Sequence, residues 1–350
     1  MNKKQLIAFG TALALCLPLT ACGGSGSESN GEVNVYNWGE YLDEDLLDQF
    51  EEETGIKVNY STYSDNESLY ATLKSGSGGY DVIIPSDYMI SRMIEEDMLL
   101  ELDFDQIPNY EYIDEDYKGL EYDPDNAYSV PYMWGVVGIV YNTTMVDYEP
   151  TSWDILWDED LSGQILMFDN SRDAIGIALK LLGYSYNTTN EDEIVEAVDK
   201  LIEQKPLVQA YVMDQIFDKM EAGEAAVGPY YAGDAITMME ENPDLSFFIP
   251  DEGTNYYVDA MCIPKDADNV ENALAFINFM CDPESSAANA EYIYYSTPES
   301  AAKELLSDEL KNSDIAYPSQ EIMSLTEVYT NLPQDILDLY DSEWLRLKAS

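Results

Sequence analysis

Apolar runs and amphipathic segments alternate along the chain from residue 33 onward. Short runs rich in β-branched and aromatic residues suit buried strands, whereas apolar residues spaced three and four apart suit helices. Strands are therefore predicted at 33–37, 56–63 and 80–86, and helices at 43–54, 66–76 and 87–99. Gly55 directly follows the first helical segment and suits a helix C-cap. This strand–helix alternation predicts an α/β fold with a doubly wound parallel sheet.

A long extended stretch separates this pattern from a second one. Residues 129–146, with the sequence SVPYMWGVVGIVYNTTMV, contain Pro131 and two glycines and suit a segment that leaves one domain and enters another. The second α/β pattern comprises a strand at 163–169, helices at 171–183 and 191–204, and a further α/β segment at 225–241. Two extended runs lie within 245–264, and we expect the second to cross back to the first domain. The helical C-terminal part is then expected to return to the second domain.

The charge balance excludes several classes of function. The 350-residue chain has 69 Asp and Glu against 16 Lys and Arg, a formal net charge of -53. Such a field repels nucleic acid and attracts cations, although most of these carboxylates are expected to be solvated surface groups. The chain has no histidine, which excludes Ser-His-Asp and Cys-His catalysis and His-ligated zinc. We expect neither a cofactor nor a metal site.

Two cysteines lie in apolar surroundings near the end of the second pattern. Cys262 and Cys281 are interpreted as small buried hydrophobic residues, which is the usual state of a free cysteine. In an oxidising compartment a single disulfide between them is the alternative.

The N-terminus has the layout of an export signal. Lys3 and Lys4 precede an apolar stretch from Leu6 to Leu19 that is short for a membrane-spanning helix. The sequence LTAC at 19–22 looks like the lipobox of bacterial lipoproteins, which implies removal of residues 1–21 and lipidation of Cys22. An ordinary signal peptide with a chance cysteine is the alternative. Residues 22–32 then form a flexible Gly/Ser tether, and the protein is expected to be exported and lipid-anchored to the outer face of the cell membrane.

Two predicted strand ends carry residues suited to ligand binding. In a doubly wound sheet, ligands bind beyond the carboxyl ends of the strands. Residues 38–41, with the sequence WGEY, follow the first strand, and residues 85–88, with the sequence PSDY, follow the third. The alternative interpretation of the first segment is a turn whose aromatic rings only pack beneath it.

Seven segments occur in the order found in a known family: YNWGEYL, FEEETGIKVNYSTY, YDVIIPSDYMISRM, SVPYMWG, LGYSYNTT, YYVDAMCIP and STPESAAKELL. On these segments residues 33–350 resemble the spermidine/putrescine solute-binding proteins of bacterial ABC importers. The resemblance implies a two-lobe, type II periplasmic-binding-protein fold whose crossing strands join the lobes. The first lobe would comprise 33–136 and 259–300, and the second 137–258 and 301–350. It also implies a monomeric protein without enzymatic activity, with a polyamine ligand and ABC permease subunits as partners.

The resemblance also implies a set of ligand-binding residues. They are Trp38, Glu40, Tyr41, Ser86, Tyr88, Asn170, Asp173, Tyr231, Asp234, Tyr257, Asp259 and Tyr295. Carboxylates would bind ammonium groups and aromatic faces would contact the methylene chain. Asp259 matches the central ammonium-binding aspartate of the family, and Asp234 an acidic residue of its putrescine-type members. Tyr231 and Tyr257 replace tryptophans, and Asn170 stands where the family has a second acid.

Two other functions remain open from the residues alone. A solute-binding protein could bind a different ligand, such as an amino sugar, thiamine or ferric ion, although interleaved aromatic and acidic residues favour an organic cation. An anchored glycosidase would use two carboxylates, but a chain with 69 acidic residues offers many such pairs by chance. Any single tyrosine among the 28 is more commonly a core or surface residue than a ligand contact.

Overall fold

The computed structural model describes residues 30–76 and 78–350, so the predicted signal peptide, Cys22 and most of the tether lie outside the described residues. The described chain contains nine strands: β1 (Glu32–Trp38), β2 (Lys57–Tyr63), β3 (Val82–Ile83), β4 (Ser129–Asn142), β5 (Ile165–Phe168), β6 (Val208–Val212), β7 (Val227–Tyr231), β8 (Leu245–Phe248) and β9 (Tyr256–Cys262). Its α-helices are α1 (Asp45–Thr54), α2 (Asn66–Lys74), α3 (Asp87–Glu95), α4 (Ser171–Leu181), α5 (Glu191–Gln204), α6 (Gln215–Glu221), α7 (Ala232–Glu241), α8 (Val270–Met280), α9 (Pro283–Ile293), α10 (Ser300–Lys303), α11 (Asp308–Lys311), α12 (Gln320–Met323) and α13 (Gln334–Ala349).

The predicted strands and helices between 33 and 241 are present, with two differences. The run at 80–86 yields only the two-residue strand β3, because the chain turns at Pro85 into α3. The interval between α5 and β7, where the pattern predicts no element, holds β6 and α6. Gly55 caps α1 in the left-handed conformation at φ 73°, as predicted.

The sheet combines parallel pairs with antiparallel ones. β1 pairs in parallel with β2 and β3, and β5 pairs in parallel with β6 and β7. The antiparallel pairs among the described strands all involve β4 or β9. The prediction of parallel sheets is therefore right for the two outer groups, and the strands that run between them return in the opposite direction.

β4 belongs to both parts of the sheet. Its residues 129–136 pair with β9, whereas 137–142 pair with β7 and β8. All 14 of its residues are buried. A Cβ added at Gly138 would lie 2.6 Å from the Phe248 carbonyl oxygen, so glycine permits the close approach of β8. β4 thus changes its paired strand between residues 136 and 137, the position at which the two lobes are predicted to divide.

The C-terminal segment from residue 300 to residue 350 contacts both parts of the structure. Ser300 Oγ donates to Asp114 at 2.6 Å, and Ser307 N donates to Glu291 of α9 at 2.9 Å. These contacts tie residues 300–317 to elements that the prediction places in the first lobe. α13 instead packs on α4 and α5, and Arg346 of α13 pairs with Asp199 at 2.7 Å.

The two described cysteines are free and buried, so the disulfide alternative is wrong in this structure. They lie in different apolar clusters, Cys262 with Ile83 and Met89, and Cys281 with Phe276. Within residues 30–76 and 78–350, no helix is long and apolar enough to cross a bilayer.

Candidate functional site

A cavity lies where the carboxyl ends of the parallel strands meet, with about 720 Å³ of empty space that includes open solvent. The segments that follow β1, β2, β3, β5, β6 and β7 all reach it, as expected for a doubly wound sheet. Eleven of the twelve predicted residues line the cavity: Trp38, Tyr41, Ser86, Tyr88, Asn170, Asp173, Tyr231, Asp234, Tyr257, Asp259 and Tyr295. The fold thus brings together residues that are up to 257 positions apart in the sequence.

Glu40 is the exception. Its side chain is exposed, and it does not line the cavity. The backbone at Glu40 takes the left-handed conformation at φ 47°, in the turn between β1 and α1. The structure therefore corrects the placement of Glu40 between the aromatic residues of this turn: Trp38 and Tyr41 face the cavity while Glu40 does not.

The lining is acidic and aromatic. Among the described residues, seven carboxylates line the cavity: Asp65, Glu67, Asp87, Asp173, Asp214, Asp234 and Asp259. Eight aromatic residues accompany them: Trp38, Tyr41, Tyr88, Tyr230, Tyr231, Tyr257, Tyr295 and Tyr329. Neither lysine nor arginine is among the described lining residues. Within the described residues, no group of three or more His, Cys, Asp or Glu is arranged to hold a metal ion. The cavity is chemically suited to an organic cation.

Asp259 lies on β9 at the centre of a buried hydrogen-bond network. Ser86 Oγ donates to Asp259 Oδ1 at 2.6 Å, and the Tyr41 hydroxyl donates to Oδ2 at 2.7 Å. The two residues Ser86 and Asp259 also form an isolated antiparallel bridge, which fixes the turn after β3 against β9. Burial raises the pKa of Asp259 to about 6, and the bonds from Ser86 and Tyr41 oppose that rise.

A second network surrounds Asp173 in the first turn of α4. Asn170 caps this helix, because its Oδ1 accepts from Asp173 N at 2.8 Å. Asn170 Nδ2 and the Tyr231 hydroxyl both donate to Asp173 Oδ2 at 2.8 Å, and the Tyr329 hydroxyl donates to Oδ1 at 3.1 Å. Burial raises the pKa of Asp173, and these three donors oppose the rise.

A third group of acids surrounds the start of α3. The Tyr88 hydroxyl donates to Glu67 Oε1 at 2.9 Å, and burial raises the pKa of Glu67 to about 7. Asp87 accepts from Tyr88 N at 2.6 Å and from Val258 N at 3.2 Å, and burial raises its pKa to about 8. Burial, which removes water from these carboxylates, is the largest cause of the raised pKa values, and the neighbouring carboxylates Asp65 and Asp173 add to it at Glu67.

The aromatic residues form walls between the acids. Trp38 Nε1 donates to the Ile84 carbonyl at 2.9 Å, which holds the indole against Tyr63 with ring centroids 4.8 Å apart. Tyr41 meets Tyr295 edge to face at 4.6 Å. Several of these rings also belong to the apolar core, so their orientation is fixed by packing before any ligand binds.

The sequence interpretation missed four of the carboxylates. Asp65, Glu67 and Asp87 lie within the four residues that follow a predicted strand end, and this position is a signal that the sequence contains. Asp214 follows β6, for which the pattern gave no strand and therefore no strand end. Its Oδ2 lies 2.6 Å from the position of a Cβ built on Gly39, so glycine allows the two segments to meet.

The fold and the acidic cavity can be compared with known proteins. A family model of the bacterial extracellular solute-binding proteins matches residues 45–318. The chain belongs to this family. A spermidine/putrescine-binding periplasmic protein of Salmonella typhimurium is 37% identical over 348 residues, which cover 99% of this chain and 98% of that protein. A putrescine-binding periplasmic protein of Pseudomonas aeruginosa is 33% identical over 361 residues, covering 97% and 98%.

A solved structure supports the same family assignment. A Listeria monocytogenes protein described as a spermidine/putrescine ABC transporter has 42% identity and a TM-score of 0.88, covering 91% of this chain and 98% of its own. The predicted resemblance and the type II binding-protein fold are confirmed. The relatives are transport proteins that bind solutes, so the prediction that this family member is not an enzyme is also confirmed.

Proposed function

We propose that this solute-binding protein captures a linear polyamine, spermidine or putrescine, in the cavity and delivers it to the permease of an ABC importer. The observation that carries the proposal is the lining: seven carboxylates and eight aromatic rings, with no basic side chain among the described lining residues. The names of the relatives, which are spermidine- or putrescine-binding proteins, support the same ligand class.

A polyamine is complementary to both the acidic and the aromatic side chains of this lining. Its ammonium groups need carboxylates once they leave water, and its methylene stem is suited to aromatic faces. Asp259, Asp173 and Asp234 lie on three different elements, so cationic groups spaced along one chain can meet different acids. A neutral ligand of the same shape would leave these desolvated carboxylates without a partner.

Calorimetry on the purified protein tests the proposal. Putrescine, spermidine and spermine are titrated beside 1,4-butanediol, which keeps the four-carbon stem of putrescine without its charges. We expect binding of at least one polyamine and none of the diol. Thiamine and an amino sugar serve as probes of the other organic cations, and native mass spectrometry identifies any ligand that is carried through purification. Tighter binding of thiamine or the amino sugar than of every polyamine would contradict the proposal.

Replacement of Trp38 by alanine tests the aromatic wall. The variant Trp38→Ala loses an indole face that we expect to stack on the ligand, worth ~0.5–2 kcal/mol by cation–π attraction and more with lost apolar contact. Stability should change little, because the Tyr63 hydroxyl also donates to the Ile84 carbonyl, at 2.6 Å, and keeps that oxygen paired. Calorimetry and thermal unfolding of the ligand-free protein measure the two effects.

Trp38→Phe is the matched control, because it keeps an aromatic face while it loses the indole N–H and one of the two fused rings. It should retain most of the affinity. A large loss of ligand-free stability in Trp38→Ala with unchanged affinity would show that Trp38 serves only the core.

We also propose that Cys22 carries the lipid that anchors the protein to the outer face of the cell membrane. The LTAC sequence at 19–22 supports this proposal. Cys22→Ser should release the protein from the membrane fraction, because acyl chains bind bilayers through burial of their methylene groups. Fractionation of cells that express either form, followed by a carbonate wash, measures the release. A variant that stays with the membranes after the wash would contradict anchoring through Cys22.

The protein is further proposed to be a monomer of two lobes that close on the ligand. We keep the predicted first boundary between residues 136 and 137, where β4 changes partners. The contacts of residues 300–317 with α9 and Asp114 favour moving this segment to the first lobe, whereas α13 stays with the second.

A further inference from the structure

The hydrogen bonds around Asn170 and Asp173 leave little capacity for a ligand. Both polar atoms of the Asn170 side chain are directed to Asp173, one as an acceptor from its N–H and one as a donor to its carboxylate. Asp173 receives two further bonds, from the hydroxyls of Tyr231 and Tyr329. A carboxylate has about four lone-pair sites, so three donors occupy most of them. Asn170 therefore acts as a helix cap, and Asp173 has about one acceptor site left.

Glu67 lines the same cavity from α2 and is much less engaged. Apart from its own backbone N–H, the hydrogen-bond donor found for it among the described residues is the Tyr88 hydroxyl, at 2.9 Å from Oε1. No lysine or arginine of the described chain forms an ion pair with it. Glu67 is thus a half-buried carboxylate with free acceptor sites.

Among the described residues, the neighbouring charges that act on Glu67 are carboxylates. Asp65 on its own segment and Asp173 on α4 both raise its pKa, in addition to burial, while the bond from Tyr88 lowers it. Arg172 lies behind the aromatic wall, with its guanidinium carbon 5.5 Å from the Tyr88 ring centroid. The guanidinium donates through Nη2 to Asn187 Oδ1 at 3.0 Å and to the Thr330 carbonyl at 3.1 Å, and no hydrogen bond from it to Glu67 is found among the described residues.

We propose that Glu67 binds a terminal primary ammonium group of the polyamine, opposite Asp173, and supplies the second carboxylate at this end of the cavity. This inference rests on the proposed polyamine function. A primary ammonium has three N–H donors, so it can use the free oxygen of Glu67 and the remaining site on Asp173 together. The ligand end would then join α2 to α4. Because Asn170 is neutral, Glu67 determines whether this end carries one negative charge or two.

Glu67→Gln and Glu40→Gln form a matched pair for the test. Both variants exchange a carboxylate for an amide and remove one negative charge, but Glu40 is exposed and outside the cavity. We expect Glu67→Gln to weaken spermidine and putrescine binding at least tenfold in calorimetry, and Glu40→Gln to stay within threefold of the original protein. The melting temperature of ligand-free Glu67→Gln should be unchanged or higher, because a desolvated charge has been removed.

A charge-relocation variant separates ligand contact from a structural role. The substitution N170D, made in the Glu67→Gln background, returns a second carboxylate to this end, and aspartate can still cap α4. We expect this double variant to bind spermidine at least threefold more tightly than Glu67→Gln alone. The spermidine affinity should not recover in the double variant if Glu67 only positions Tyr88.

Four outcomes would overturn the proposal: Glu67→Gln binding within threefold of the original protein, an equal loss in Glu40→Gln, a lower ligand-free melting temperature in Glu67→Gln, or no recovery in the double variant. Failure of the original protein to bind spermidine, putrescine or spermine is a different result, because it would overturn the proposed function itself.

Discussion

Asp259→Asn is expected to weaken polyamine binding by about 30-fold or more. Asp259 is 4% exposed, and its two oxygens already accept from Ser86 and Tyr41, so a ligand ammonium would complete its partners. Asparagine keeps one acceptor but loses the charge that compensates the desolvated ammonium. Removing one partner of a buried charge pair costs ~2–5 kcal/mol, and each ~1.4 kcal/mol is tenfold in affinity.

Calorimetry at two ionic strengths measures this loss. Salt screens exposed charges much more than buried ones, so the ratio of the two affinities should hold at both ionic strengths. Glu40→Gln is again the matched control, since it removes one charge from the exposed side of the turn after β1. Ligand-free Asp259→Asn should unfold at the same or a higher temperature, because a buried charge is gone. Asp259→Asn binding within threefold of the original protein would contradict the central role of Asp259.

The strands and helices of the first half follow from the sequence because their patterns are strong. The buried strand β1, the amphipathic α1 and the Gly55 cap each depend on local chemistry, which a single sequence contains. β6 and α6 escaped prediction for the same reason: the strand VQAYV is only partly buried, and α6 has seven residues, so neither leaves a clear periodic pattern.

Prediction of the cavity residues required a different kind of information, namely which distant segments pair. The position of Asp259 beside Ser86 comes from pairing between β3 and β9, which are separated by more than 170 residues, and periodicity cannot reveal such a pair. The family resemblance predicted that Asp259 and Ser86 share one site. The same resemblance placed Glu40 among the ligand-binding residues, but its side chain is exposed and does not line the cavity. It also gave no signal for Glu67, whose role depends on which acceptors Asn170 and Asp173 have already used.

Polyamine affinity is also expected to rise by ~30-fold or more between pH 5 and pH 8. Burial raises the pKa of Asp259 to about 6 and that of Glu67 to about 7 in the ligand-free protein. Below these values the carboxylates are mostly protonated, and a cationic ligand must displace the protons before it binds. Each pH unit below a pKa costs ~tenfold in the ionised fraction, so Asp259 alone accounts for ~tenfold at pH 5.

The stability of the ligand-free protein should change in the opposite direction. A carboxyl group whose pKa is higher in the folded than in the unfolded protein binds more protons when folded, so its contribution to the free energy of unfolding falls as pH rises between the two pKa values. For Asp259 this window runs from its ordinary value of 3.8 to about 6, and for Glu67 from 4.5 to about 7. The melting temperature should therefore fall from pH 5 to pH 7 without ligand.

Thermal unfolding at pH 5, 6, 7 and 8, with and without saturating spermidine, measures both trends in one series. The stabilisation by ligand should grow with pH while the ligand-free melting temperature declines, because the carboxylates that destabilise the empty cavity are those that bind the ammonium groups. In Asp259→Asn the part of the pH dependence centred near pH 6 should be absent. Ligand stabilisation that is constant from pH 5 to pH 8 would show that the buried carboxylates are already ionised at pH 5, or that the ligand does not contact them.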